Sequence, residues 1–124
     1  MGASSGHIGG WLSKAEGEKF QALALSVGLD ESALATILIV RELNTRSLAI
    51  DQSRFISTAV TKEKRITARP KRDELKAQFQ GYCRSLGLSM DATAAAVFRK
   101  EIAENWLGNT VGVTGNQVDS RGQP

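Results

Sequence analysis

Between positions 62 and 72 the chain carries Lys62, Lys64, Arg65, Arg69, Lys71 and Arg72 against one acid, Glu63. Such a strip is either an attractor for a polyanion, nucleic acid above all, or a solvated surface segment, and the element that carries it decides which. The wider charge distribution points the same way: of the net +3, residues 1–44 contribute −2 and residues 45–124 contribute +5. Other chemistries are disfavoured by count. A single cysteine, Cys83, rules out an intrachain disulfide and a multi-thiolate metal site, and a single histidine, His7, leaves no two-histidine site. Cys83 is expected to pack as a small apolar residue. Glu42 and Glu101, beside Arg41 and Lys100, are expected to form solvent-facing ion pairs rather than a catalytic carboxylate pair. No phosphate loop of the form GxxxxGK[ST] occurs, since SSGHIGG lacks the lysine and the preceding strand. The chain is therefore expected not to be an enzyme and to need no cofactor or metal.

The elements that must position the basic strip follow from periodicity. The 124 residues, 41% hydrophobic and 23% charged, have ordinary globular composition and the length of one domain or two very small ones. No apolar run approaches the roughly 18 residues that span a bilayer, and the start MGASSGHIGGWLSK lacks the basic flank and long apolar stretch of a signal peptide. A cytoplasmic protein without a membrane partner is expected. With an offset of 59, Lys14 to Leu43 lies over Asp73 to Ile102 without a gap, and eight of thirty positions are identical, among them Phe20/Phe79, Gly28/Gly87, Leu29/Leu88 and Glu42/Glu101. In both copies the Gly-Leu pair falls between two apolar helical patterns.

In the second copy Leu75, Phe79, Tyr82, Cys83 and Leu86 mark one face of a helix from about Arg72 to Leu86, which Gly87 ends in a left-handed conformation. Ser89 caps the next helix, with Asp91 in its first turn, and that helix is expected to run past Trp106 until Gly108. The first copy repeats the logic with Gly28 as the stop and Asp30 as the cap. Trp106 at a helix end reads as a lid on the core, although it and Trp11 have the type to stack on bases. Before each helix pair lies a short extended segment. In Lys64 to Pro70 (KRITARP), Ile66 and Ala68 face one side and Arg65, Thr67 and Arg69 the other, with Pro70 closing the strand. In His7 to Ser13 (HIGGWLS), Ile8, Gly10 and Leu12 face inward and Gly9 and Trp11 outward. Residues 45–63 form a linker with enough apolar residues for a short packed turn or helix, and residues 108–124 form a mobile tail.

A strand with outward polar or basic residues, a helix, a Gly-containing turn and a second helix resembles the ribbon-helix-helix family of DNA-binding proteins. The likeness is carried by RITAR, by RDEL followed by QF, by the turn Leu-Gly-Leu-Ser and by the ending RKEI, and with the repeat it covers about two thirds of the chain. It implies a mainly α fold with a short two-stranded antiparallel ribbon, built from units at 7–44 and 64–107 that form one pseudo-two-fold domain. Two units in one chain look like the tandem accessory proteins of plasmid conjugation and mobilisation. The partners then implied are double-stranded DNA, a relaxase or other conjugation protein, and further copies of the chain on DNA. By the same resemblance Arg65, Thr67 and Arg69 read bases, and the start of the last long helix, Ser89 and Met90, holds a phosphate with Lys64, Lys71 and Arg72. Physical chemistry supports these roles, because a ribbon fits the major groove, arginine forks bind guanine in bidentate fashion and helix N-termini attract phosphate. His7, Gly9 and Trp11 are the corresponding first-strand contacts and are poor readers, and Asp30 with Glu31 sets negative charge where the first unit would meet a phosphate. A transcriptional repressor, or a protein-interaction module on the same fold, is the alternative reading.

Overall fold

Two short strands pair in one sheet, and their alternating inward and outward positions set its two faces. The structure, a computed structural model, describes residues 7–51 and 62–111. Strands β1 (Ile8–Leu12) and β2 (Lys64–Ala68) pair antiparallel, with Ile8 opposite Ala68, Gly9 opposite Thr67, Gly10 opposite Ile66 and Trp11 opposite Arg65. Ile8, Leu12, Ile66 and Ala68 are wholly buried on the inner face, as the alternation requires. Among the described residues six helices accompany the sheet: α1 (Lys14–Ser26), α2 (Glu31–Thr45), α3 (Ser47–Asp51), α4 (Asp73–Leu86), α5 (Met90–Glu104) and α6 (Trp106–Val111). The described residues are mainly helical, with one short two-stranded antiparallel sheet. Among the described residues, no single helix is long and apolar enough to cross a membrane.

Local chemistry sets most helix ends. Ser13 and Glu16 form a capping box at the start of α1, and the Glu63 carboxylate accepts the Lys14 N–H at 2.7 Å. Asp30 caps α2 and Ser89 caps α5 through the N–H groups of Ala33 and Ala92. Gly28 and Gly87 take φ of 77° and 73°, the left-handed turn that ends the first helix of each pair and that suits glycine. The order strand, long helix, long helix, short helix thus occurs twice, at an offset of 59 in the second long helices and 56 in the strands. Four residues, Arg69 to Arg72, join β2 to α4 where Ser13 alone joins β1 to α1.

The helices do not stay with their own strands. Helix α5 packs under β1 and α2 under β2, so each strand is covered by a helix from the other half. The approach of α5 is close: a Cβ on Gly10 would stand 2.6 Å from the Ala95 backbone nitrogen, so only glycine fits there. A single core results, with Phe20 against Phe98 at a ring-centroid distance of 5.2 Å and Phe79 against Tyr82 at 6.5 Å. Cys83 lies within it, and burial pushes its thiol above the ordinary range. Trp106 packs partly buried against this core with the Arg41 guanidinium carbon 4.2 Å from its ring centroid.

Three expectations need correction. The final long helix does not run to Gly108: Asn105 adopts a left-handed conformation, α5 stops at Glu104, and α6 starts at Trp106. Gly108 to Val111 therefore belong to α6 rather than to a tail, and 112–124 lie outside the described residues, as do 52–61 of the linker. Glu42 and Glu101 are not solvent-facing ion pairs but are 3% and 2% exposed. Each closes a break between a long and a short helix. Glu101 accepts the N–H groups of Trp106 and Leu107 at 3.2 and 2.9 Å, and Glu42 accepts the Leu48 N–H, the Ser47 hydroxyl and the Tyr82 hydroxyl. These bonds satisfy the orphan donors of α3 and α6, which outweighs the pairing that an exposed site would offer.

Two measurements check this account. Gly10→Ala is expected to destabilise by about 1–3 kcal/mol through overpacking against α5, read as a lower denaturant midpoint. For Glu101, burial raises the carboxyl above its ordinary 4.5, with Leu107, Trp106 and Arg41 working against that shift. The folded form therefore binds this proton more tightly than the unfolded chain does, and the stability contribution declines as pH rises through and above 4.5. Relative to Glu101→Gln, the parent protein should lose stability as pH is raised above 4.5, measured by urea denaturation at several pH values.

Candidate nucleic-acid interface

The outer face of the sheet gathers the residues singled out for base contact. Arg65 and Thr67 project from β2 beside Gly9 and Trp11 of β1, and Arg69, exposed, follows immediately after the strand. The Arg69 N–H donates to the Thr36 hydroxyl of α2 at 3.1 Å, which ties the end of the strand to the helix beneath it. His7 is exposed and precedes β1 by one residue. Lys71 and Arg72 are exposed in the connection to α4. Among the described residues, none of Arg65, Arg69, Lys71 and Arg72 pairs with a carboxylate. These four cations are exposed and directed away from the core.

Lys64 is the exception. It shares the inward alternation of Ile66 and Ala68 but sits at the sheet's end, where its stem lies on Gly17 and its Nζ stands 3.3 Å from Glu31 Oε1. The structure therefore commits Lys64 to α2 rather than to the outer face. Alternation alone carries this signal, because residues 64, 66 and 68 share a face.

The flanks of the ribbon differ. Beside β2 a surface groove of about 410 Å³ runs between Arg65, Thr67 and Arg69 on one side and Leu25, Asp30 and Glu31 on the other. Its helix-side charge is acidic, so the start of α2 repels a phosphate that its backbone N–H groups would attract. At the start of α5 the cap is the neutral Ser89, with Met90 partly buried beside it and Asp91 as the acid of the first turn. From Met90, α5 reaches Ala95 under β1 in five residues, about 7 Å of helix axis, so this N-terminus stands close to the sheet. No protein-family model matches the chain, and no curated protein or solved structure matches it.

Arg72 occupies a position that stability does not explain. It is the N-cap of α4 with φ of −115° and ψ of 132°, yet its side chain makes no cap bond, whereas the Ser13 hydroxyl at the corresponding place in the first half accepts the Glu16 N–H. A cation there also faces the positive end of the helix dipole, which Asp73 and Glu74 offset. Arg72→Ser is expected to stabilise the protein by about 0.5–2 kcal/mol by supplying the missing cap, read from its thermal midpoint. A lower midpoint would show instead that the Arg72 side chain holds the fold.

Proposed function

We propose that this chain is a tandem ribbon-helix-helix protein that binds double-stranded DNA by laying the outer face of its ribbon in the major groove. In this reading the two halves are related by a pseudo-two-fold axis through the sheet, and one chain completes the ribbon without a second copy. The observation that carries it is the division of β2 and the residue after it: Ile66 and Ala68 are wholly buried while Arg65 and, just past the strand, Arg69 are exposed on either side of Thr67. Arginine forks match guanine O6 and N7, and the threonine hydroxyl serves either donor or acceptor edges. Lys71, Arg72, Ser89 and Met90 supply phosphate contacts that set register without reading sequence. The tandem form favours an accessory role at a plasmid transfer origin, with a relaxase as protein partner and further copies on repeated sites. A protein-interaction role is the second reading, favoured by Asp30 and Glu31 along the groove beside β2.

The test separates the two groups of cations. Arg65→Ala or Arg69→Ala should cost about 1–3 kcal/mol on the preferred duplex and relax base preference. Lys71→Ala or Arg72→Ala should weaken all sequences alike and lower the slope of log affinity against log salt by about 0.9 per lost contact. All four variants should keep the parent's circular dichroism spectrum. A folded quadruple alanine variant at 65, 69, 71 and 72 that binds DNA like the parent would transfer the assignment to the protein-interaction reading.

A further inference from the structure

The outer face of the ribbon is unequal in a way that gives its poorer strand a task. Gly9 and Gly10 are adjacent, and each is a glycine for a different reason. At Gly10 a side chain would meet the backbone of α5, but at Gly9 its nearest neighbour would be the Arg65 side chain: an added Cβ would lie 2.3 Å from Nη2, 2.5 Å from Cζ and 2.7 Å from Nε. The guanidinium of Arg65 therefore lies across the ribbon on the bare backbone of Gly9. The same guanidinium carbon stands 5.7 Å from the ring centroid of Trp11, the residue directly opposite Arg65 in the register. A planar cation held against an aromatic ring and a flat backbone has fewer orientations to lose when it binds, and arginine is the side chain suited to that stacking.

We propose that Gly9 and Trp11 are positioning residues that seat Arg65 across the ribbon, so that β2 alone supplies the base-reading groups for both strands' width. The site read is then non-palindromic and bound in one orientation. A fold with two reading strands would instead match its two-fold symmetry to two equivalent half-sites. Here the second reading strand is replaced by the seat. This inference rests on the DNA-binding reading above, and the experiment is chosen to separate the two.

The full chain is used to select duplexes from a random-sequence library, and the affinities of parent, Gly9→Ala, Trp11→Ala, Trp11→Phe, Arg65→Ala and Gly9→Ala/Arg65→Ala are compared on the selected and on scrambled DNA. The expected consensus is non-palindromic. Gly9→Ala displaces only the far end of a flexible side chain, so the fold persists, and the ratio of specific to scrambled affinity should fall about tenfold while the salt slope stays unchanged. Trp11→Phe should retain most of the ratio that Trp11→Ala loses. Once Arg65 is alanine, the Gly9 substitution should have no further effect, the non-additivity expected of residues acting as a unit. A palindromic consensus with two equal half-sites, or a Gly9→Ala effect that persists in the Arg65→Ala background, overturns the seat and leaves DNA binding standing. Failure to enrich any duplex over random DNA overturns DNA reading and the inference with it.

Discussion

The fold depends on an exchange of partners between strands and helices. Two strands of five residues each make too small a sheet to persist in water, so their inner faces must be covered. The covering comes crosswise, α5 beneath β1 and α2 beneath β2. Neither half can then bury its own strand without the other, and residues far apart in the chain share one apolar interior. Small side chains make the exchange possible: Gly10 meets α5 at Ala94 and Ala95, and both alanines are buried. The ion pair of Arg99 with Glu16 at 3.0 Å ties α5 to the start of α1 in the same crosswise sense. Burial works to raise the Glu16 carboxyl, but its bonds to Ser13 and to Arg99 outweigh that and hold it below its ordinary value.

Polar groups inside the protein mark where helices change direction. A carboxylate in the interior is costly unless its oxygens are occupied, and both Glu42 and Glu101 are occupied by the first donors of a short helix. The left-handed residues Arg46 and Asn105 stand four positions beyond these glutamates and turn the chain so that those donors face back. Glu42 does more than its counterpart, because the Tyr82 hydroxyl reaches it from α4. Burial and the neighbouring carboxylate push that hydroxyl well above the ordinary tyrosine range, so it stays a donor to Glu42 even in alkaline solution.

Against this satisfied interior, the outer face of the sheet stands apart. Arg65 and Arg69 contribute nothing to the core, and Arg72 holds a cap position without capping. The local rule obeyed by the other N-caps, Ser13, Asp30 and Ser89, is thus not followed at Arg72. The acidic start of α2 gives the surface a polarity, since Glu31 draws Lys64 inward and lines the groove beside β2. The two sides of the ribbon are therefore unequally charged.

How much of this was legible in the sequence depends on the range over which each feature is decided. Alternation in KRITARP determined that Ile66 and Ala68 are buried and that Arg65 and Thr67 face outward, because a strand's period of two needs no knowledge of the partner strand. Asp30, Ser89, Gly28 and Gly87 determined their helix boundaries for the same reason, as caps and left-handed turns act within a few residues. The break at Asn105 was not legible, since Ala-rich sequence without proline or glycine favours continuation, and only the buried carboxylate of Glu101 makes stopping worthwhile. Beside Lys100, Glu101 reads as a surface residue, and its identity with Glu42 across the repeat was the one signal to the contrary. Only the tertiary structure decided that Gly10 admits a helix while Gly9 admits an arginine. Two adjacent glycines look alike in a sequence, and what each makes room for comes from chain segments more than fifty residues away, brought near by the crosswise packing.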